Sequence, residues 1–228
     1  PLSASDLVRL HDAATSDRTR LVALDDRADI DRYASIIARS DRARFLTPEL
    51  HREMFAELTT DPAAAEGIDV ASLDLPPAMA GMLDVLRRAD VMALLDEWGG
   101  GAALGADAGA RAASSSAILV LVQQGTTPAD YLRGGIVAQQ LWVAAERLGF
   151  AVHPMTPTFL YAGDDATART LSSNHGDELA ALRDEMLETW PLEAGEAPTI
   201  VLRLSRTDAP VEVSRRLPMR PPTSAGQA

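Results

Sequence analysis

The sequence contains no cysteine and no lysine. Without cysteine there is no disulfide framework, no thiolate nucleophile and no Cys-ligated metal. Without lysine there is no Schiff-base amine and no lysine of a phosphate-binding loop, and all 21 basic residues are arginine. Arginine in place of lysine, with alanine the commonest residue, is the usage that a GC-rich genome gives. Long apolar runs are also missing. The longest, Ala117-Ile118-Leu119-Val120-Leu121-Val122, falls far short of the roughly 20 residues of a membrane span. No charged-then-apolar signal segment opens the chain, so a cytoplasmic protein is the expectation. Positive charge is scarce: the net charge is -12. Binding along phosphates needs clustered cations, and Arg215-Arg216 followed by Arg220 is too small a group. Neither nucleic acid nor an anionic membrane is therefore expected as a partner.

What is present is apolar residues at 46% of 228, enough for the core of one large domain or two small ones. In the first third, Ser5-Asp6 can cap a helix with Leu7, Val8 and Leu10 inward. Arg20 to Leu24 can form a short strand. Ile30, Tyr33, Ile36 and Ile37 stand at helical spacing in a stretch reaching Leu46. Thr47-Pro48-Glu49 starts a further helix that turns Leu50, Met54, Phe55 and Leu58 inward. Residues 61–77 read as an irregular connection. One helical pattern then runs from Met79 through Leu95 and stops at Gly99-Gly100-Gly101. From there to Arg111 almost every residue is Gly or Ala, which fits either a loop or a tightly packed helix.

The second half is more legible. Ser114 to Gln123 reads as a strand buried on both faces, because the apolar run within it is continuous rather than alternating. Thr127-Pro128-Ala129-Asp130 is a capping box with proline at the first helical position. The helix it starts should run to Leu148, with Leu132, Ile136, Leu141, Ala144, Ala145 and Leu148 inward and Gly149 as its end. Phe150 to His153 reads as a short strand running into Pro154-Met155-Thr156-Pro157. Asp177 to Trp190 is helical with Leu179, Leu182, Met186 and Trp190 inward, and Thr199 to Leu204 is a strand. The polar, Pro-rich stretch 209–228 is expected to be an extended or disordered arm.

Most catalytic signatures are absent. The four histidines, His11, His51, His153 and His175, show no metal-ligand spacing. There is no Gly-x-Ser-x-Gly elbow, no phosphate loop and no Gly-x-Gly-x-x-Gly fingerprint. Asp84, Asp90, Asp96 and Glu97 read as a solvated acidic face. What stands out is Gly134-Gly135 in the first turns of the long helix, at about 1 kcal/mol each relative to alanine. Something approaches the backbone there, either another element of the protein or a flat ligand. Pro154 and Pro157 lack an N–H, so a backbone donor in that loop comes from Met155 or Thr156. Arg215-Arg216 can grip a phosphate bidentately or sit in a solvent-facing turn.

The succession from Tyr131-Leu132-Arg133-Gly134-Gly135 to Phe150, then Pro154-Met155-Thr156-Pro157, resembles the central helix and flavin loop of the nitroreductase-like FMN family. Leu202-Arg203-Leu204 followed by Ser214-Arg215-Arg216-Leu217-Pro218 is similar to the family's C-terminal segment. Gln140-Leu141-Trp142 and His153-Pro154 resemble an atypical branch that includes Acg-type proteins and the C-terminal domain of MoeY-type proteins. The resemblance covers residues 114–220 and extends only loosely to the first hundred. It implies an α+β fold, an antiparallel sheet flanked by helices, forming one domain over 1–208. It implies FMN held by Gly134, Gly135, Pro154, Met155, Thr156, Arg215 and Arg216. It implies hydride passage from NAD(P)H through the flavin to a nitro or quinone-type acceptor, and a homodimer or an upstream region of the same polypeptide as partner. The family's Arg-Arg-Ser-x-Arg and Pro-Ser-x-x-Asn segments are not present, and Pro157 stands where glycine is common. Together with Pro1 at the start, this leads us to expect a piece of a longer chain that binds FMN weakly or not at all by itself. The alternative expectation is a non-catalytic flavin-sequestering or structural domain of the same fold, attached to an adenylyltransferase-like region.

Overall fold

The computed structural model describes residues 2–61, 64, 66–73, 75 and 77–206. The elements, in chain order, are α1 (Ala4–Ala14), β1 (Thr19–Leu24), α2 (Arg27–Leu46), α3 (Pro48–Ala56), β2 (Leu58–Thr59), β3 (Ile68–Asp69), α4 (Pro77–Leu86) and α5 (Ala89–Glu97). They continue with α6 (Ala106–Ala113), β4 (Ala117–Gln124), α7 (Pro128–Arg147), β5 (Ala151–Pro154), α8 (Asp165–Leu171), α9 (Gly176–Thr189) and β6 (Glu196–Ser205). Four strands form an antiparallel sheet in the order β1-β4-β6-β5, and β2 with β3 makes a small parallel pair.

β4 is central because its apolar run leaves no polar face. From Ala117 to Val122 every side chain is fully buried. Ile118, Val120 and Val122 pack under α2 and α9, against Tyr33, Ile36, Leu182, Met186 and Trp190. Leu119 and Leu121 pack on the other face, against Leu10 of α1 and Leu141 and Ala145 of α7. Each such burial removes about 1.5–3 kcal/mol worth of apolar surface from water. The α+β architecture expected from the resemblance is the one observed.

The Gly/Ala-rich stretch is helical. A turn over Ala102–Gly105 leads into α6, which lies tightly against α2. A Cβ on Gly105 would stand 1.8 Å from the Ala38 carbonyl oxygen, and one on Gly109 would stand 2.9 Å from the Ala38 Cβ. The small residues are what lets the two backbones approach.

Several expectations are corrected. The cap of α1 is Ser3, with Asp6 as its reciprocal partner, and Val8 faces solvent. The helical pattern from Met79 to Leu95 is two helices, broken at Arg87-Arg88. The short helix α8, capped by Asp164 through the Thr167 amide, is an element beyond those expected. On α7, Leu132 and Ile136 are 70% and 55% exposed, so they do not belong to the inner face. The buried positions there are Asp130, Gly134, Leu141 and Ala145, with Val137 and Ala138 partly covered. The helix is rotated so that its glycine, and not its first leucine, meets the sheet. No helix among the described residues is long and apolar enough to cross a membrane.

Candidate functional site

The site begins at the corner between β4 and α7. Gly125 ends the strand at a φ of 88°, a left-handed conformation suited to glycine. A Cβ there would also meet the Asp130 carboxylate at 2.4 Å. Asp130 is buried and heavily bonded. It accepts from the Thr127 hydroxyl at 2.6 Å, the Thr127 amide at 3.0 Å and Arg18 at 3.0 Å, and it pairs with Arg133. These bonds, the Thr127 hydroxyl first among them, hold its carboxyl far below the usual range. The capping box therefore fixes both the start of α7 and its rotation, and the N-terminal Arg18 ties it down.

One turn later the two glycines diverge. A Cβ on Gly134 would stand 2.1 Å from Gln123 Oε1 and about 3 Å from Thr199. Those two side chains are bonded to each other, the Thr199 hydroxyl donating to Gln123 Oε1 at 2.9 Å, while Gln123 Nε2 donates to the Gly125 carbonyl at 3.1 Å. Thr199 is brought there by a bulge. β4 pairs Leu121 with Ile200 and then Val122 with Pro198, leaving Thr199 as the extra residue. β5 does not extend that far, so Pro198 sits where β6 has no neighbour on its outer side and needs no donor. Gly134 is thus accounted for by close approach of the sheet. Gly135 has open space beyond its Cα and lies on an exposed face with Leu132 and Ile136.

The loop after β5 is pinned on both sides. Pro154 pairs with Leu202, and Met155 is buried in the core, with its N–H donating to the Val201 carbonyl at 2.8 Å. Thr158 donates its hydroxyl to Ser40 at 2.8 Å, and Ser40 donates to the Ile36 carbonyl. Between these anchors Thr156 is exposed, and its N–H has no partner among the described residues. The Met155 amide is consumed by the sheet, so the available donor of this loop is Thr156. β6 links the two halves of the site. Thr199 touches Gly134, and Val201, two residues or about 7 Å along the strand, holds Met155.

Beside the loop, His153 faces Arg203 across β5 and β6. Partial burial of the ring, then the Arg203 and Arg111 charges, push its pKa down to about 4. Arg203 has a buried Nε with no partner among the described residues, and its Nη1 reaches only long contacts to the Arg111 carbonyl and the Ser205 hydroxyl. Burial lowers its pKa as well. Arg215 and Arg216 lie outside the described residues, as does the arm 209–228.

Two open depressions, of about 510 and 440 Å³, lie elsewhere, along α3 and α8 and between α3 and Arg87. Neither is lined by α7 or by residues 153–157. No group of His, Cys, Asp or Glu suited to a metal occurs among the described residues. Sequence reasoning missed Gln123 and Thr199. Their signals were a polar end to an apolar strand and a proline inside another, but the pairing register that joins them is not local.

No family model matches the chain. It is 38% identical over 209 residues to an uncharacterized protein, MT1398, of Mycobacterium tuberculosis (strain CDC 1551 / Oshkosh), covering 91% of this chain and 29% of that protein. The chain thus spans less than a third of the curated relative it matches. Among solved structures it is similar to oxidized iodotyrosine deiodinase bound to FMN and 3-iodo-L-tyrosine, at 12% identity and a TM-score of 0.50, covering 97% of this chain and 89% of that one. A BluB-like flavoprotein from Clostridium difficile 630 is also 12% identical, with a TM-score of 0.45, over 95% of this chain and 86% of the other. The strand order, the helices on both sheet faces and the likeness to the deiodinase structure establish that the chain has the nitroreductase-like α+β fold.

Proposed function

We propose that this chain is an FMN-binding, nitroreductase-like oxidoreductase domain spanning residues 1–208, followed by an arm over 209–228. The Thr156 amide donates to the flavin ring. Met155 and Pro154 fix that amide, and Gly135 on the outer face of α7 leaves room for a flat ligand, with Gly134 setting the helix against the sheet. Arg215 and Arg216 grip the phosphate. When bound, FMN supplies hydride acceptance and donation. The domain takes hydride from NAD(P)H and passes it to a nitro or quinone-type acceptor in the cytoplasm. A second copy of the chain, or an upstream region of the same polypeptide, covers the outer face of α7.

The observation that carries this reading is the Thr156 N–H, unpaired and exposed between two anchored neighbours. Leaving a backbone donor unmade at a rigid position costs stability unless it meets water or a ligand. The fold supports it too, since the deiodinase structure of the same fold is described as holding FMN. A second reading has its own support. The chain lacks lysine and the Arg-Arg-Ser-x-Arg and Pro-Ser-x-x-Asn segments, which favours a non-catalytic flavin-sequestering or structural domain joined to an adenylyltransferase-like region.

FMN titration followed by the visible spectrum and flavin fluorescence tests both. Weak binding by this chain, strengthened in the longer polypeptide and bleached by NAD(P)H, is the expected result. Bound FMN that NAD(P)H fails to bleach selects the second reading, and no binding even by the longer polypeptide removes FMN altogether. In that polypeptide Arg215→Ala with Arg216→Ala should weaken binding by at least tenfold, the loss of one charged hydrogen bond.

A further inference from the structure

His175 lies 79 residues from Asp96 in sequence yet bonds to it. It caps the start of α9, is almost wholly buried, and has both ring nitrogens committed. Nε2 stands 2.7 Å from Asp96 Oδ1, on the last turn of α5. Nδ1 stands 3.0 Å from Glu178 Oε2, one turn along α9. The surroundings hold both carboxylates in place. Asn174 donates to the other oxygen of Asp96 at 3.0 Å. Arg42 of α2 lies 3.5 Å from Glu178 and donates its Nε to the Gly100 carbonyl at 3.1 Å. From the remaining neighbour on α9, Asp177 turns away to Arg169. The charged groups facing the ring are therefore Asp96 from α5, Glu178 from α9 and, behind Glu178, Arg42 from α2.

A ring facing two carboxylates can donate to both only as the imidazolium. As the neutral imidazole it has one proton for two acceptors, and the other nitrogen presents its lone pair to a carboxylate oxygen at hydrogen-bond distance. Glu178 has Arg42 as a second partner and is on the ring's own helix. Asp96 is bonded besides only to the neutral amide of Asn174, with the Arg42 charge acting on it from farther off, and it belongs to a different part of the molecule. α5 is also poorly anchored otherwise. Its one buried residue is Met92, in a small cluster with Phe55 and Leu86, and Trp98 just beyond it is 71% exposed.

We propose that His175 is a proton-operated latch: doubly protonated, it fastens α5 to α9 and α2 through Asp96 and Glu178, and on losing one proton it lets α5 and the segment around it loosen. Nothing in the flavin reading requires this, because the latch is formed by residues outside that site.

The test is made on the 228-residue chain with two measurements. ¹⁵N shifts of the His175 ring report how many nitrogens carry protons. Hydrogen exchange of the α5 amides, corrected for the intrinsic pH dependence of exchange, reports how firmly α5 is held. Wherever α5 is firmly held, both ring nitrogens should be protonated. As pH rises through the range in which histidines titrate, about 5 to 8, α5 protection should fall by about 10- to 100-fold, the factor that one charged hydrogen bond corresponds to. The amides of β4 should not follow. In His175→Gln the α5 protection should be low and independent of pH. Should that variant not fold, Asp96→Asn serves: it keeps the shape, removes one carboxylate, and should lower α5 protection and flatten its dependence on pH. A ring that is neutral while α5 is firmly held, α5 protection that ignores pH, or Asp96→Asn protection unchanged from the parent would each overturn the latch.

Discussion

The sheet with its flanking helices and the outlying α3–α5 segment are built on different scales. β4 is covered on both faces, by α2 and α9 on one side and α1 and α7 on the other, so each of its side chains has neighbours all round. Among its described residues the α3–α5 segment buries only Leu50, His51, Phe55, Leu86 and Met92, and it leaves Met82, Val85 and Leu94 in contact with solvent. One region has depth and the other has contact on one side only. Local opening free energies follow that difference, since they depend on how much apolar surface an element keeps buried. The outlying segment is joined to the body partly by polar and ionic contacts, the pair between His175 and Asp96 among them. Such contacts respond to pH in a way that the sheet core does not.

The comparison can be broken by truncation. Leu121→Ala, in the middle of β4, should lower global stability by about 2–5 kcal/mol in a denaturant titration. Met92→Ala should instead show mainly as faster exchange of the α5 amides, with a smaller change in the denaturation midpoint. Equal midpoint shifts would mean that the two regions unfold as one unit of equal depth.

A finer contrast is available inside α7. Gly134→Ala puts a Cβ into Gln123 and Thr199, whose side chains are bonded together and cannot simply swing aside, and should cost about 1–3 kcal/mol. Gly135→Ala, one residue along, meets nothing and should stabilise by about 0.5–1 kcal/mol, the helix-propensity gain. Thermal unfolding of the two variants separates them, and two changes of the same sign would refute the assigned rotation of the helix.

The smallest effect concerns the sheet's edge. His153 is held down to about 4 from an ordinary value of 6.5. Between those values the unfolded chain takes up a proton that the folded chain refuses, so stability is present above about pH 6.5 and is lost as pH falls toward 4. His153→Asn should flatten the acid side of the stability profile over that window. The ring's exposure keeps the change small, and a profile identical to the parent would show that the ring is freely hydrated.

The sequence by itself determined the local elements whose cause is local. The continuous apolar run of β4, the Thr127 capping box, the periodic faces of α2 and α9 and the Pro-bracketed loop at 154–157 all follow from short-range sterics, capping and burial. The absence of lysine settled that any cation at the candidate site is arginine or histidine. Only the tertiary structure decided which of two adjacent glycines meets protein, because that depends on the register and bulge of β6. Only it decided that the Met155 amide is spent and the Thr156 amide is not, since the Val201 carbonyl that consumes it lies on another strand. It also turned a Gly/Ala tract into a helix, through the close approach of α2, and Asp96 from a solvated acid into a partner of His175. Each of these rests on groups far apart in the chain, and a pattern of neighbours along one strand of sequence carries no record of what folds against it.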